Sequence, residues 1–359
     1  MKLNLRNNCK YGIAVPTSMG VRITPTGHAP VHTSSTYTMQ ATSAESNAVN
    51  ISSALGIKGL ALTNFVKDSP ISYFIKSELR RRNIDFAGPD ILQGDPWGYR
   101  HQFNIADSGF GPRGPRVHND RAGEVGRVLN AKDYDFEKIF GEDGVSILHL
   151  SGLVAAISPE TTKFCQDCIK VAKKYGTLVS FDMNHRKTFW KGREKELRAS
   201  FTDMASKTDI LIGNEEDYQL CLGIDGPKEG GSDIASQIAG FKEMVGRIKE
   251  AYPNACVFGN TLRQVIAAGE HLWGVITLFG DVWTVIEPRP IEVLDRIGGG
   301  DGFAGGLLYG VLTEMEPEKA TQFAWASGAL AVTAYEDYAQ PADEDMVWNI
   351  YEGNARVQR

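Results

Sequence analysis

Short apolar runs alternate with longer amphipathic segments along most of the chain. The runs that predict buried strands are residues 10–15, 59–63, 145–150, 178–181, 209–212 and 255–258. The segments that predict helices are residues 44–55, 70–82, 159–175, 233–251, 301–312, 317–338 and 342–351, with a further helix after Asn214. Alternating strands and helices form mostly parallel sheets with helices on both faces, so the pattern predicts an α/β domain. Ligands bind such sheets at the carboxyl ends of the strands.

Two segments interrupt this alternation. Residues 16–40 are rich in Thr, Val and His, and residues 87–127 contain repeated Gly-Pro turns with short extended runs between them. Such segments predict a small, inserted β-sheet subdomain. The α/β domain would then consist of residues 1–15, 41–86 and 128–359. Within it, hairpin-like strand pairs are expected at residues 264–268, 273–278 and 282–287.

The composition excludes several classes of protein. The chain has 38 Lys and Arg residues against 44 Asp and Glu residues, so it lacks the basic excess of nucleic-acid-binding proteins. Its most apolar stretch, residues 148–157, is too short to span a bilayer, and residues 1–10 contain no apolar core of a secretory signal. We therefore expect a cytoplasmic protein that binds neither nucleic acid nor membranes.

The five cysteines do not indicate a disulfide framework in a chain of 359 residues. Cys165 and Cys168 form a lone C-x-x-C inside a predicted helix, and no second cysteine pair completes a zinc site. We interpret both as small buried thiols. Free thiols fit a reducing cytoplasm.

The densest glycine cluster lies at residues 298–306, where six of nine residues are glycine. It opens a predicted helix, and successive glycines allow backbone N–H groups to converge on an anion at a helix N-terminus. Asp301 stands where it could accept a proton from a hydroxyl while those N–H groups hold a phosphoryl group. The alternative is a flexible turn in which Asp301 only caps the helix. The local pattern alone does not separate the two.

The same cluster contains a dinucleotide-binding pattern. Gly300-x-Gly302-x-x-Gly305 satisfies G-x-G-x-x-G, which normally opens a βαβ unit. The chain after Gly306 is almost entirely helical, so that unit cannot be completed, and a nicotinamide oxidoreductase is disfavoured. The sequence contains no G-x-x-x-x-G-K-[ST], so a bound nucleotide would not use a P-loop.

A resemblance to a known family runs from about residue 10 to residue 340. Asp295-Arg296-Ile297-Gly298-Gly299-Gly300-Asp301, followed by Phe303-Ala304-Gly305-Gly306, closely resembles the C-terminal signature of PfkB/ribokinase carbohydrate kinases, in its 2-keto-3-deoxygluconate kinase form. Shorter agreements are Arg116 with Asp120-Arg121-Ala122, Asp182-x-Asn184-x-Arg186 with Trp190, Asn214-Glu215-Glu216-Asp217 and Thr261-Leu262-Arg263. The resemblance implies a ribokinase-like fold, in which the inserted β segments form a lid on the α/β kinase domain.

This resemblance also implies a reaction, the transfer of the γ-phosphoryl group of ATP to a sugar hydroxyl. Asp301 would be the base, and the amides of Gly298, Gly299 and Gly300 would form the anion hole. Asn214 and Asp217 would hold hydrated magnesium, or serve as a helix cap and first-turn carboxylate, and the two roles are compatible. The other residues expected at the nucleotide, beside Gly300, are Thr261, Arg263, Trp325 and Ser327. Potassium as a further cofactor is left open.

The resemblance further implies a sugar site. Its expected residues are Thr42, Ser43, Asn47, Tyr99, Arg121, Asp182, Asn184, Arg186 and Asp301. An acid sugar needs a carboxylate clamp, and Arg is suited to bidentate binding, so we favour Arg121 and Arg186 for that task. The resemblance implies 2-keto-3-deoxygluconate as the first candidate substrate.

Two departures from the family pattern leave the sugar open. Thr17-Ser18 replaces the usual Gly-Glu at the end of the first strand, and Thr42-Ser43 replaces a Gly-Gly that approaches the sugar. Kinases of fructose or 5-keto-2-deoxygluconate remain alternatives. So does a non-catalytic sugar-binding regulator, although the intact Asp301 and glycine turn speak against it. Lid sheets have exposed edges, so a homodimer or larger homo-oligomer that associates through the lid is expected.

Overall fold

The computed structural model describes residues 3–227 and 237–356. The strands are β1 (Tyr11–Pro16), β2 (Gly20–Pro25), β3 (Tyr37–Thr42), β4 (Gly59–Leu62), β5 (Phe65–Val66), β6 (Ile84–Ala87), β7 (Asp90–Ile91), β8 (Gln102–Asp107), β9 (Arg116–Asp120), β10 (Val145–Ser151), β11 (Leu178–Asp182), β12 (Ile210–Gly213), β13 (Val257–Ala267), β14 (Glu270–Phe279) and β15 (Val282–Glu292).

The α-helices of the same ranges are α1 (Ala44–Ala54), α2 (Pro70–Arg81), α3 (Gly152–Ala156), α4 (Pro159–Lys174), α5 (Lys187–Trp190), α6 (Glu194–Ala205), α7 (Glu215–Leu222), α8 (Ile238–Ala251), α9 (Gly299–Leu312), α10 (Pro317–Ala331) and α11 (Glu344–Glu352). Short 3₁₀ turns and one π-helical segment, Glu137–Gly144, fill some of the connections.

The large sheet has the strand order β15-β14-β13-β12-β11-β10-β1-β4-β6. The strands from β13 to β6 run parallel, and β14 and β15 add antiparallel strands at one edge. The parallel strands are apolar runs because both faces of the sheet are covered, as the fully buried β1 and β10 illustrate. One face packs against α4, α6 and α8, and the other against α1, α9 and α10. The predicted α/β fold class is confirmed.

A separate four-stranded sheet, in the order β3-β2-β8-β9, forms the lid. Its strands come from the two segments that interrupt the strand–helix alternation, although β3 continues to Thr42 and so reaches the start of α1. Before the second lid segment, strand β6 belongs to the large sheet as far as Ala87, the first residue of the predicted segment 87–127. The exact division of the chain between lid and α/β domain stays a prediction.

Some element boundaries differ from the sequence-based expectation. Strand β13 runs without interruption through residues 259–263, because these residues pair with β14 along their whole length. Helix α10 ends at Ala331, seven residues before the predicted end. Helix α8 is described from Ile238, and the predicted start of that helix at residues 233–236 lies outside the described residues. Cys165 and Cys168 are buried in α4, as expected of structural thiols.

Helix α1 begins at Ala44, as the sequence predicts. Ser43, not Thr42, is the N-cap, and its hydroxyl accepts the N–H of Ser46. Glu45 is completely buried and accepts a hydrogen bond from the Thr17 hydroxyl at 2.7 Å. Because Ser43 caps the helix, the Thr42 hydroxyl is available to donate a hydrogen bond to Asp337.

Candidate active site

A cavity of about 1070 Å³ lies between the lid and the carboxyl ends of β11, β12 and β13. Parallel sheets bind ligands at this edge. The sequence-predicted residues that line it are Thr42, Ser43, Asn47, Arg121, Asp182, Asn184, Arg186, Asn214, Asp217, Thr261, Arg263, Gly298, Gly300 and Asp301. The fold therefore brings most of the predicted site together from distant parts of the sequence.

The glycine turn at the start of α9 is shaped by two close approaches. Gly298 has a φ of 90°, and a Cβ there would lie 2.0 Å from the carbonyl oxygen of Asp337. Gly300, in contrast, has nothing within 4 Å of its ideal Cβ position, and it lines the cavity. No side chain of the described ranges caps the helix, so its first N–H groups have no side-chain acceptor there.

Asp301 lies in the first turn of α9, at the floor of the cavity. The Asn47 side-chain amide donates to its Oδ2 at 3.0 Å. Burial raises the pKa of Asp301 to about 7, and the negative charge of Asp337 adds to this effect, while the Asn47 hydrogen bond and Arg186 oppose it. A carboxyl group with this pKa can take up a proton near neutral pH.

Asp337 is a site residue that the sequence did not indicate. It lines the cavity, and its Oδ2 accepts the Thr42 hydroxyl at 2.7 Å. Thr42 in turn accepts a hydrogen bond from Asn47 at 3.3 Å, and Asn47 holds Asp301. The Thr42 side chain, present where the family has glycine, therefore joins two carboxylates of the site.

A second group of carboxylates lies at the ends of β11 and β12. Asp217 accepts the backbone N–H groups of Asn214 at 3.1 Å and of His185 at 2.8 Å, while the Asn214 side chain caps α7 by accepting the N–H of Asp217 at 2.8 Å. The predicted capping role of Asn214 and Asp217 is thus confirmed. Burial raises the pKa of Asp182, and the charges of Asp217 and Asp301 raise it further.

The same corner has the composition of a hydrated-cation site. Within the described ranges, no three His, Cys, Asp or Glu side chains are grouped closely enough to ligate a metal directly. However, the buried Oδ1 of Asn184 has no hydrogen-bond partner, and Asn184 holds a positive φ of 36° beside Asp182. Buried oxygens without partners next to carboxylates that resist ionisation fit a cation held through water.

The lid contributes carboxamides that the sequence did not indicate as site residues. Gln102 and Asn104 alternate along β8 and so share a face, and Asn104 pairs in register with Asn119 of β9. The side-chain oxygens of Gln102 and Asn104 are buried without a hydrogen-bond partner in the described structure. Their signal in the sequence is weak, because isolated carboxamides in a strand form no motif.

Arg121 enters the cavity from the end of the lid. Its guanidinium pairs with Glu124 at 2.5 Å and lies over the Phe189 ring, 5.3 Å from the centroid. The hydroxyl of Ser18 donates to the same Glu124 oxygen. Glu124 and the buried Glu45 therefore bring carboxylates next to Thr17-Ser18, where the family pattern has its own acidic residue.

Four predicted site residues, Gly299, Tyr99, Trp325 and Ser327, do not line the cavity. Gly299 is buried, and a Cβ there would lie 3.0 Å from the Val332 side chain. Trp325 and Ser327 are buried in α10. Trp325 Nε1 donates to the carbonyl of Trp273 at 2.9 Å, and Trp273 Nε1 donates to the carbonyl of Trp325 at 3.2 Å. Only Trp273 of this pair reaches the cavity wall. Tyr99 lies in the loop before β8, where its N–H donates to the carbonyl of Gln93. Their expected contacts with nucleotide or sugar stay predictions.

The sequence is similar to those of known sugar kinases. The pfkB family carbohydrate kinase model matches residues 129–344. A 2-dehydro-3-deoxygalactonokinase from Haloferax volcanii is 25% identical over 341 residues, which cover 94% of this chain and 96% of that protein. A 5-dehydro-2-deoxygluconokinase from Clostridium perfringens is 26% identical over 215 residues, 60% of this chain and 56% of that one.

Solved structures share the fold over nearly the whole chain. The 2-dehydro-3-deoxygluconokinase of Thermotoga maritima superposes with a TM-score of 0.86 at 24% identity, covering 96% of this chain and 99% of that one. A structure from E. coli assigned as ribokinase II, in complex with ATP and Mg²⁺, gives a TM-score of 0.74 at 17% identity, covering 96% and 100%. The expected ribokinase-like fold is therefore confirmed. Because the family model spans more than half of its residues, the chain belongs to the pfkB family of carbohydrate kinases.

Proposed function

We propose that this carbohydrate kinase transfers the γ-phosphoryl group of ATP to a hydroxyl of a small keto-sugar acid, with 2-keto-3-deoxygluconate as the first substrate to test. The observation that carries the proposal is Asp301, a carboxyl group with a pKa raised to about 7 beside a glycine turn that is open to the cavity. Relatives named for dehydro-deoxy sugars support this class of substrate.

In the proposed step, Asp301 accepts a proton and the glycine N–H groups stabilise the transferring phosphoryl group. The sugar hydroxyl oxygen attacks the γ-phosphorus while Asp301 takes the hydroxyl proton, and the bond to the β–γ bridging oxygen breaks so that ADP leaves. The N–H groups of Gly298, Gly299 and Gly300 stabilise the negative charge that develops on the transferring group. The empty space at Gly300 supports this role, since a side chain there would occupy the cavity.

We further propose that Asn214 and Asp217 hold hydrated Mg²⁺ near the phosphates, with Asp182 and Asn184 beside it. The supporting observations are the unpartnered buried oxygen of Asn184 and the raised pKa values of Asp182 and Asp217. Mg²⁺ would neutralise charge on the phosphate oxygens. Thr261 and Arg263 line the same side of the cavity and are the proposed nucleotide contacts.

An acid substrate is supported by two arginines that line the cavity. Arg121 comes from the lid and Arg186 from the loop after β11, and both line the cavity. Each side chain can bind a carboxylate in a bidentate manner. These two arginines are the proposed carboxylate contacts.

A second candidate is a kinase of another sugar, either the neutral sugar fructose or a different keto-sugar acid, 5-keto-2-deoxygluconate. The lid oxygens of Gln102 and Asn104 are buried without partners and can accept only hydrogen-bond donors, which sugar hydroxyls supply. The Clostridium perfringens relative is named for a neighbouring type of sugar. A non-catalytic regulator fits poorly, because Asp301 and the open glycine turn are both present.

An ATP-consumption screen over keto-sugar acids and neutral sugars tests these proposals, with Mg²⁺ supplied and then removed by a chelator. We expect ADP release with an acid sugar, and loss of that release in Asp301→Asn and in the chelated sample. Absence of stimulation by any sugar would refute the kinase proposal for these substrates. Stimulation by neutral sugars alone would refute the acid-sugar proposal and favour a neutral sugar such as fructose. Repeating the assay with potassium replaced by sodium tests the monovalent requirement.

A further inference from the structure

A fully buried arginine of the lid lies next to the glycine turn. Arg22 belongs to β2, and its side chain has no exposed surface. Its guanidinium forms ion pairs with Asp295, which precedes the turn, and with Asp337, which packs on the turn. The three residues come from the first and last parts of the chain. Arg22 does not line the cavity, so it cannot serve the reaction by touching a ligand.

Both carboxylate partners of Arg22 determine where the turn lies. Asp295 Oδ1 accepts the N–H of Ile297 at 3.0 Å and so fixes the backbone just before Gly298. The carbonyl of Asp337 lies against the bare Cα of Gly298, where a Cβ would be 2.0 Å away. The N–H of Asp295 also donates to the carbonyl of Val332 at 3.3 Å. The turn and the segment after α10 are therefore packed as one unit around the Arg22 charge.

The other oxygen of Asp337 leads to the proposed base. Asp337 Oδ2 accepts the Thr42 hydroxyl, Thr42 accepts from Asn47, and Asn47 donates to Asp301. The distances along this path are 2.7, 3.3 and 3.0 Å. A displacement of Asp337 is thus transmitted to Asp301 through side chains that are themselves buried or half-buried.

The neighbouring lid strand, β3, also forms hydrogen bonds with the segment after α10. Gln40 of β3 pairs in register with Arg22. Its Nε2 donates to the carbonyl of Tyr335 at 3.1 Å, and its Oε1 accepts the N–H of Asp337 at 3.1 Å. The base of the lid is therefore bound to the segment after α10 at two adjacent points.

We propose that Arg22 is a positioning residue for phosphoryl transfer. Its charge holds Asp295 and Asp337 together, and thereby fixes both the anion-hole turn and the orientation of Asp301. The inference rests on the proposed role of Asp301 as the base. A buried carboxylate that loses its partner is strongly destabilised, so the arrangement depends on the Arg22 charge and not only on its bulk.

The charge of Arg22 also affects how readily Asp301 loses its proton. Asp337 raises the pKa of Asp301, and without Arg22 its charge would act uncompensated. The charged groups that face Asp301 are Glu45 of α1, Asp182 at the end of β11, Arg186 in the following loop, and Asp337. Among these groups only Arg186 is positive. Because the loss of Arg22 would leave the negative charge of Asp337 uncompensated, it would move the Asp301 titration to higher pH.

The test compares Arg22→Met, Arg22→Lys and the double variant Arg22→Met/Asp337→Asn in steady-state kinetics over a range of pH. For Arg22→Met we expect kcat to fall about tenfold, KM values to change less than about twofold, and the pH midpoint of kcat/KM to rise by about half a unit. Arg22→Lys should recover part of kcat. The double variant should return the midpoint to its wild-type value, because the uncompensated charge is gone.

The matched control is Arg82→Met, which removes another buried arginine. Arg82 bonds to the neutral oxygens of Asn50, Ala41 and Ser46, so its loss should lower stability without moving the pH midpoint. An unchanged midpoint in Arg22→Met, or equal midpoints in the single and double variants, would refute the inference. If Arg22→Met does not fold, a double variant that folds with wild-type kcat refutes it, and one with lowered kcat supports it.

A measurement without turnover separates this inference from the proposed function. The Asp301 carboxyl carbon can be titrated by NMR in labelled protein and assigned by its absence in Asp301→Asn. We expect its midpoint to rise in Arg22→Met and to return in the double variant. If the wild type phosphorylates no sugar but this shift is present, the proposed function fails and the positional coupling stands. If the shift is absent in an active enzyme, the inference fails alone.

Discussion

Asp301 must lose its own proton before it can accept one from a sugar hydroxyl. Burial and the charge of Asp337 raise its pKa to about 7, so a large fraction of the carboxyl groups is protonated in mildly acidic solution. We predict that kcat/KM for the sugar rises with pH and reaches half its plateau near pH 7. Initial rates at saturating Mg²⁺ between about pH 5 and about pH 8 check this. A flat profile would contradict the assignment of Asp301 as the base.

The same raised pKa makes Asp301 a source of instability at higher pH. Its folded pKa lies above the ordinary value of 3.8, so its contribution to stability is greatest below about pH 4 and is lost as the pH rises through about 7. We predict that Asp301→Asn unfolds at a higher temperature than wild type at about pH 8, and that the difference shrinks towards about pH 4. Thermal unfolding followed by circular dichroism measures it. An equal Tm at every pH would show that Asp301 is not desolvated.

The residues that shape Asp301 differ greatly in how visible they are in the sequence. Asp301 and the glycines stand in one continuous motif, so a single stretch predicts them. Arg22 meets Asp337 across 315 positions and Asp295 across 273, and no local pattern indicates such a pair. Thr42 is predicted as a sugar-site residue that replaces a glycine, but its bond to Asp337 depends on where the segment after α10 lies.

At the scale of the element, the glycine turn of α9 offers a paired test. Gly298 combines a positive φ with a Cβ position 2.0 Å from a carbonyl, whereas Gly300 is helical and has open space. We predict that Gly298→Ala lowers both stability and activity, because the turn must move. Gly300→Ala should keep or raise stability, by up to about 1 kcal/mol, yet still lower kcat, because its methyl group enters the anion hole. Urea unfolding and kinetics on both variants distinguish these outcomes; full activity in Gly300→Ala would contradict the anion hole.

The elements were predicted well where a strand is apolar on both faces, as in β1, β10 and β11. The prediction was wrong where β13 passes the cavity. Gly259, Asn260 and Thr261 have the composition of a turn, and Asn260 is fully buried with both amide atoms unpartnered. Buried strands are predicted from apolar runs, and this polar stretch of β13 breaks the run. The prediction therefore failed where the strand borders the cavity, as is typical of ligand sites.

At the scale of the whole molecule, the lid contributes side chains to the cavity wall as well as covering it. Arg22 and Gln40, on β2 and β3, bind the lid sheet to the segment beside the turn of α9. Gln102 and Asn104 of β8, and Arg121 after β9, line the cavity. The roles that we propose for the lid, positioning by Arg22 and ligand contact by Arg121, therefore fall to different parts of one subdomain. None of the helices in the described ranges is long and apolar enough to cross a membrane.

The outer edges of the lid should carry the contact between subunits. Strands β3 and β9 are the two edges of this sheet, and β3 exposes Tyr37 and Met39, 40% and 47% accessible, on one face. Exposed apolar residues on an open strand edge favour pairing with another chain. We predict a homo-oligomer in sedimentation equilibrium, and that Met39→Lys dissociates it, since burying an unpaired ammonium opposes association. Val282→Lys is the matched control, because Val282 is 53% exposed on β15, at the far edge of the large sheet. Dissociation by the control but not by Met39→Lys would place the interface on the large sheet, and a monomeric wild type would contradict the prediction altogether.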